Sequence, residues 1–148
     1  MKIYAENKKA FFDYEILETY EAGMALKGFE VKAIRQGRMQ LIGSFVRVRG
    51  NEAFLLGATI HPYQPTNTPQ DYAPDNTRKL LLKKSEIKEL VGKSAQQGLT
   101  LVPIRVYDKA GLIKLEFAAA KGKRKKDKRE IIKRREADRE IKRTLKQA

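Results

Sequence analysis

The residues of this chain that could do chemistry are few, and their spacing argues against most of it. Gly92-Lys93-Ser94 matches the end of a phosphate-binding loop, in which backbone N–H groups cradle phosphates and the lysine reaches the outermost ones. The glycine needed earlier in such a loop is replaced by Ile87, and no strand immediately precedes it. Ser85-Glu86-Ile87-Lys88 sets a lysine one helical turn from a serine it could activate, but the companion motifs of that site are missing. Helix capping is the expected role of Ser85. His61 is the single histidine, it precedes Pro62, and cysteine is absent. Thiolate zinc sites, disulfides and cysteine nucleophiles are therefore excluded, and His61 has no second histidine with which to share a metal. The carboxylates are scattered, without the Asp-x-Asp spacing of a metal site. The expectation is a protein with no catalytic residue, no metal and no cofactor.

What the chain does have is charge. Its 148 residues carry 32 lysines and arginines against 18 aspartates and glutamates, a net +14 that favours a polyanionic partner, nucleic acid or an anionic membrane. No stretch approaches the roughly 18 consecutive apolar residues of a membrane span, and the first residues lack the apolar run of a signal peptide. A cytoplasmic location is expected.

The charge is unevenly placed. Residues 1–120 hold 18 basic and 13 acidic residues, whereas residues 121–148 hold 14 basic and 5 acidic. All twelve aromatics fall in the first part, the last being Phe117. A segment without aromatics and half cationic cannot bury enough apolar area to offset its ordering entropy, so 121–148 is expected to be a basic tail, disordered when free.

The elements that must position any site are mostly strands. Tyr14 to Leu26 is rich in aromatic, β-branched and aliphatic residues, with Gly23 suggesting a bend or bulge. Phe45 to Leu56 breaks at Gly50-Asn51, and Leu99 to Ala118 breaks at Lys109-Ala110-Gly111, which predicts two hairpins. A helix opening at Ser85 would recur at Ile87, Leu90 and Val91, and a shorter one from Phe29 to Gln36 would stop at Gly37. The proline-containing stretch Gln64 to Arg78 predicts a long mobile loop. The fold class expected is mainly β with short helices, an OB-fold-like barrel over 1–120 followed by the tail. An open α+β sheet is the alternative.

Short blocks in order along the chain resemble the SsrA-binding protein family, the small protein B of bacterial trans-translation. They are Asn7-Lys8-Lys9-Ala10, Asp13-Tyr14, Tyr20-Glu21-Ala22-Gly23, Gly28, Glu30-Val31-Lys32, Ile34-Arg35 and Gly37. They continue with Ser44-Phe45, Arg78-Lys79-Leu80-Leu81-Leu82, Gly98 to Pro103, Ala120-Lys121-Gly122-Lys123 and Asp127-Lys128-Arg129. The resemblance implies an OB-fold-like barrel that binds the tRNA-like domain of transfer-messenger RNA. It also implies delivery of that RNA to the A site of stalled ribosomes, with no enzymatic activity in the protein. The implied partners are transfer-messenger RNA and the ribosome (16S rRNA, decoding centre and mRNA channel), with no membrane and the chain as a monomer.

Carried over residue by residue, the RNA contacts of the barrel fall on Glu21, Leu81 and Lys114, with Asn7, Lys8 and Lys9 near the same surface. Gly122, Asp127, Lys128 and Arg129 match the segment assigned to the decoding centre. Phe12 and Lys126 depart from the family, which usually has histidine at the first position and an aromatic or histidine at the second. The residues themselves add physical roles. Glu21 repels phosphate, so it would accept from base N–H edges or hold a neighbouring cation. One side chain of Leu80-Leu81-Leu82 must face away from a one-sided core, and Lys114 must point away from Ile113 and Leu115. In the tail, Asp127 and Glu130 have capping-box spacing ahead of Ile131 and Ile132, so a latent helix can form where rRNA phosphates cancel the repulsion among its cations. A general RNA-binding module and an anionic-membrane binder are the other classes considered. The few apolar residues of the tail and its lack of aromatics argue against the membrane.

Overall fold

The computed structural model describes residues 2–62, 64, 66, 68–96, 98–123, 135–137 and 139. Along these the chain forms β1 (Ile3–Glu6), α1 (Lys8–Asp13), β2 (Tyr14–Met24), α2 (Gly28–Arg35), β3 (Met39–Gln40) and β4 (Phe45–Arg49). It continues with β5 (Glu52–Leu56), β6 (Thr59–Ile60), β7 (Arg78–Leu81), α3 (Lys84–Ser94), β8 (Leu99–Lys109) and β9 (Leu112–Gly122). The three eleven-residue strands β2, β8 and β9 hold the longest runs of β-branched, aromatic and aliphatic residues and carry the architecture.

All pairings are antiparallel: β3 and β6 form a two-stranded sheet, the other strands run in the order β1-β8-β4-β5-β7-β2-β9, and β9 pairs back onto β8. The ladder thus runs round a six-stranded ring of OB type. Its seams are narrow: β4 meets β8 at the single pair Val46–Leu101, and β2 meets β7 at Gly23–Leu81 and Met24–Leu80. The barrel is for that reason not strictly closed. Phe117, Leu115, Val106, Leu55, Leu80 and Ile60 fill it, while Ile34 of α2 and Leu90 of α3 pack onto the same core. The two anticipated hairpins form, with Gly50 at φ 62° in one turn and Ala110-Gly111 at φ 51° and 80° in the other. Gly37 takes the left-handed stop of α2 at φ 75°.

Several expectations are corrected. A strand not anticipated, Ile3–Glu6, adds to the edge of β8 beside the six-stranded ring, so Tyr14 begins the second strand. α1 went unseen, since six residues without a side-chain cap give no periodic signal. Gly23 makes no bulge. The irregularity of β2 lies between Ile16 and Glu18, where Leu17 is left out of the ladder and exposed. Ser85 is not the cap of α3: Lys83 holds that position, and Glu86 accepts its backbone N–H at 3.1 Å. Only Leu90 of the anticipated apolar set is buried, and Val91 is exposed.

Of the stretch Gln64 to Arg78, where a long mobile loop was expected, the part from Tyr72 on is bonded to the rest of the fold. Tyr72 donates its hydroxyl to the Ile60 carbonyl at 2.9 Å and stacks edge-on against Phe29, and the Pro74 carbonyl accepts the Ile60 N–H at 2.9 Å. Arg78 closes this corner. Its guanidinium is 3% exposed and donates to Glu30 at 3.0 and 3.1 Å, to the Ala58 carbonyl at 2.9 Å and to Tyr72 at 2.8 Å. Glu30 is itself placed by the helix start, accepting the Lys27 N–H at 2.9 Å. One buried pair therefore joins α2, β7 and the approach to β7, and β7 is the strand that carries Leu81.

Candidate nucleic-acid interface

Strand register gathers the barrel residues. Tyr107 pairs with Lys114, Lys114 with Gly23, and Gly23 with Leu81, so these four follow one another across β8, β9, β2 and β7. Glu21 lies two residues from Gly23 and so shares its face of the sheet. Leu80 is buried and Leu81 is 53% exposed, which is the split that a one-sided core demands. Leu115 is likewise buried while Lys114 faces outward. Glu21, Leu81 and Lys114 line one open groove of about 780 Å³, with Lys79, Lys83 and Lys84 along its side. Lys79 also pairs with Glu52 at 3.6 Å.

Glu21 holds a neighbouring cation. Its carboxylate accepts from the Tyr107 hydroxyl in a short hydrogen bond and from Lys109 Nζ at 3.1 and 3.3 Å. The Tyr107 bond first, and then Lys109, hold the Glu21 carboxyl below the usual carboxylate range. Burial first, and then the same carboxylate, keep the Tyr107 hydroxyl protonated well above the usual tyrosine range. Local sequence pattern does not mark Tyr107, and it places Lys109 only in the turn before Gly111. Register across the β8–β9 hairpin is what brings them to Glu21.

Asn7 and Lys9 do not share this surface, and Lys8 follows Asn7 in α1. Asn7 is 4% exposed, donates Nδ2 to the Pro103 carbonyl at 3.0 Å, and donates its backbone N–H to the Ile104 carbonyl at 2.7 Å. These bonds fix the turn from β1 into α1 at the point where Pro103, which has no N–H, coincides with the irregularity of the β8–β9 ladder. Asn7 and Lys9 line a separate groove with Asp13, Tyr14 and Phe45. Tyr14 pairs with Gly122 whereas Gly23 pairs with Lys114, so the two grooves sit at opposite ends of one ladder. At ~3.3 Å per residue they are roughly 25 Å apart along the strands.

Of the tail residues, Gly122 ends β9 opposite Tyr14, and Lys123 donates its backbone N–H to Asp13 at 2.9 Å and its Nζ to the Phe11 carbonyl at 2.8 Å. Asp127, Lys128, Arg129 and Ile132 lie outside the described residues, as does Lys126. Arg135, Glu136, Ala137 and Arg139 are helical, and the Arg135 guanidinium lies 5.5 Å from the centre of the Phe12 ring. The chemical candidates have structural places. Lys93 sits in the last turn of α3 and pairs with Glu18 at 3.3 Å, and the His61 backbone N–H donates to the Arg38 carbonyl at 3.0 Å. Among the described residues no group of three or more His, Asp or Glu is placed to hold a metal ion.

A mainly β, OB-like barrel with a lysine-bordered groove on its outer face and a basic C-terminal segment defines the class, a small RNA-binding protein. Within that class the chain belongs to the SmpB family, whose model, described as "SmpB protein", matches residues 4–147. It is 50% identical to the SsrA-binding protein of Trichodesmium erythraeum, covering 99% of this chain and 94% of that one. It is 51% identical to the SsrA-binding protein of Rubrobacter xylanophilus, covering 99% and 97%. A solved structure described as "tmRNA-SmpB: a journey to the center of the bacterial ribosome" contains a similar chain. That chain is 45% identical, with a TM-score of 0.67 over 86% of this chain and 92% of that one.

Proposed function

We propose that this protein binds the tRNA-like domain of transfer-messenger RNA and delivers it to the A site of stalled ribosomes, so that the ribosome is rescued and the stalled peptide tagged. The observation that carries the reading is the single groove containing Glu21, Leu81 and Lys114, the residues matched one by one to the family's RNA contacts. The barrel, residues 1–120, supplies RNA binding. A-form RNA closes its deep groove to side chains, so such a barrel works through cations for phosphates and apolar or polar groups for unstacked loop bases. Lys114 contacts the RNA, Leu81 offers an apolar plate, and Glu21 acts by holding Lys109 and Tyr107. Asn7 supports the fold, Lys9 lies at the other groove, and Lys8 stands beside it in α1.

The basic segment, expected over 121–148 but with Lys121 and Gly122 in β9, engages 16S rRNA at the decoding centre and the mRNA channel through Gly122 at the strand end and through Asp127, Lys128, Arg129 and Ile132 in a helix formed there. The protein works in the cytoplasm, as a monomer, without a cofactor and without catalysing a reaction. A basic module of this kind acts by positioning its RNA.

The test separates binding from delivery. β9 runs through Gly122 and Lys123 is bonded to α1, so the informative truncation starts at residue 124. That variant should keep affinity for the tRNA-like domain within a fewfold and lose tagging in a reconstituted stalled-translation assay. Ile132→Pro should lose tagging as well, because it breaks a helix at a cost of about 3 kcal/mol while keeping every charge. Glu21→Ala and Lys114→Ala should each weaken RNA binding roughly tenfold to a hundredfold, the worth of one charged hydrogen bond. Unchanged affinity in both would end the site assignment, and normal tagging by the proline variant would end the helix mechanism.

A further inference from the structure

Gly23 occupies a place where the backbone does not ask for glycine but where its cross-strand neighbour Leu81 stands close. It lies in regular strand, paired on one side with Leu81 and on the other with Lys114, and its φ is not among the positive ones. A glycine inside a strand weakens it and commonly marks a close approach by another group. Here the neighbours lean in. A Cβ on Gly23 would lie 3.3 Å from Leu81 Cβ, 3.5 Å from Leu81 Cδ1 and 3.7 Å from Lys114 Nζ. The groove of about 780 Å³ and a second, more apolar one of about 360 Å³ both include Gly23, Leu81 and Lys114, so the glycine is the point where they meet.

We infer that Gly23 is the floor of a seat for one unstacked nucleobase, walled by Leu81 on one side and by the Lys114 ammonium on the other. This rests on the groove being the RNA-binding surface. A strand backbone without a Cβ is a flat platform, and the Leu81 methyls extend it with apolar surface that water leaves willingly when a base face covers it. Lys114 supplies donors at the edge, where base carbonyls and ring nitrogens accept. A phosphate fits the seat poorly. The floor lies in a strand paired on both sides, so it offers no nest of unclaimed N–H groups, and one wall is apolar. The lysines at 79, 83 and 84 lie along the same groove and suit the backbone that carries the base.

The test uses the full chain and a transcript of the tRNA-like domain. Gly23→Ala and Gly23→Val should keep the fold at a modest cost in thermal midpoint, because the better strand propensity is offset by a Cβ 3.3 Å from Leu81 Cβ that makes the two strands give by a few tenths of an ångström. Both should weaken RNA binding by roughly tenfold or more, the usual worth of a stacked base. The slope of log affinity against log salt should stay unchanged, since no phosphate contact is lost. A slope reduced by about one phosphate would overturn the base in favour of an anion. Binding within twofold of wild type, with Glu21→Ala and Lys114→Ala still impaired, would overturn the seat but leave the groove. Wild-type binding by all four variants would remove the groove as well. Abasic nucleotides placed one at a time in the loops of the transcript test the seat on the unaltered protein. One position should weaken wild-type binding yet have no further effect with Gly23→Ala, and the lack of any such position refutes the proposal.

Discussion

Removing the Arg78 guanidinium should be the most damaging single change outside the hydrophobic core. Arg78→Met keeps much of the side-chain volume but takes four hydrogen bonds with it: two to Glu30, one to the Ala58 carbonyl and one to the Tyr72 hydroxyl. It also leaves the Glu30 carboxylate, 6% exposed, with only the Lys27 N–H at 2.9 Å, unless the Tyr72 hydroxyl at 3.3 Å turns to it from the Ile60 carbonyl. Breaking one side of a buried ion pair typically costs about 3 to 5 kcal/mol, much of it the desolvated charge left behind. For a domain of this size that lowers the thermal midpoint by about 10 to 20 °C. Glu30→Gln alone should cost less, because the amide oxygen still accepts from the Arg78 guanidinium even though the buried cation loses its counterion. The double variant should be more stable than the sum of the two losses implies, with a coupling of at least about 1 kcal/mol.

The assay is chemical and thermal denaturation of the four proteins of the cycle, with amide exchange followed at Leu80 and Leu81. β7 holds to β2 by only two residue pairs, so in Arg78→Met those amides should lose protection before the β8–β9 hairpin does. A loss under about 1 kcal/mol for Arg78→Met, or strict additivity in the cycle, would refute the view that this pair holds β7, and with it Leu81, in place.

Asn7→Ala should destabilise the barrel by about 1 to 2 kcal/mol by orphaning the Pro103 carbonyl, while RNA affinity of the folded protein stays within twofold. An affinity loss larger than the stability loss explains would restore Asn7 as an RNA contact. Tyr107→Phe should raise the Glu21 pKa toward the ordinary glutamate value of about 4.3, read by carboxyl NMR titration. Because the folded-state pKa lies below the unfolded one, the ionised Glu21 stabilises the wild-type fold above about pH 4.3, and that contribution is lost as pH falls through the lower folded value. In Tyr107→Phe the acid side of the stability profile should shrink accordingly, and an unmoved Glu21 titration would show that Tyr107 does not hold the carboxylate.

Much of this protein is written in short-range pattern. The turns at Gly50-Asn51 and Ala110-Gly111 follow from residues that tolerate positive φ or flank one that does, and the outward aim of Leu81 and Lys114 follows from the twofold period of a strand beside a buried neighbour. The basic segment after residue 120 is visible in composition alone, and family resemblance marked Glu21, Leu81 and Lys114 before their positions were seen. Geometry between distant segments was not legible in this way. Glu21 meets Tyr107 and Lys109 across separations of 86 and 88 residues, and Glu30 meets Arg78 across 48. No local preference encodes such meetings, because the register of β2 on β9 and β9 on β8 is chosen by burying one face of every strand at once. The same closure sends Asn7 and Lys9 to the far end of the ladder from Lys114, and it turns Gly23 from a suspected bend into the flat point between two side chains. A slip of one residue would reverse every face, so the cooperative packing of the ring, and not any single stretch of chain, sets which residues share the groove.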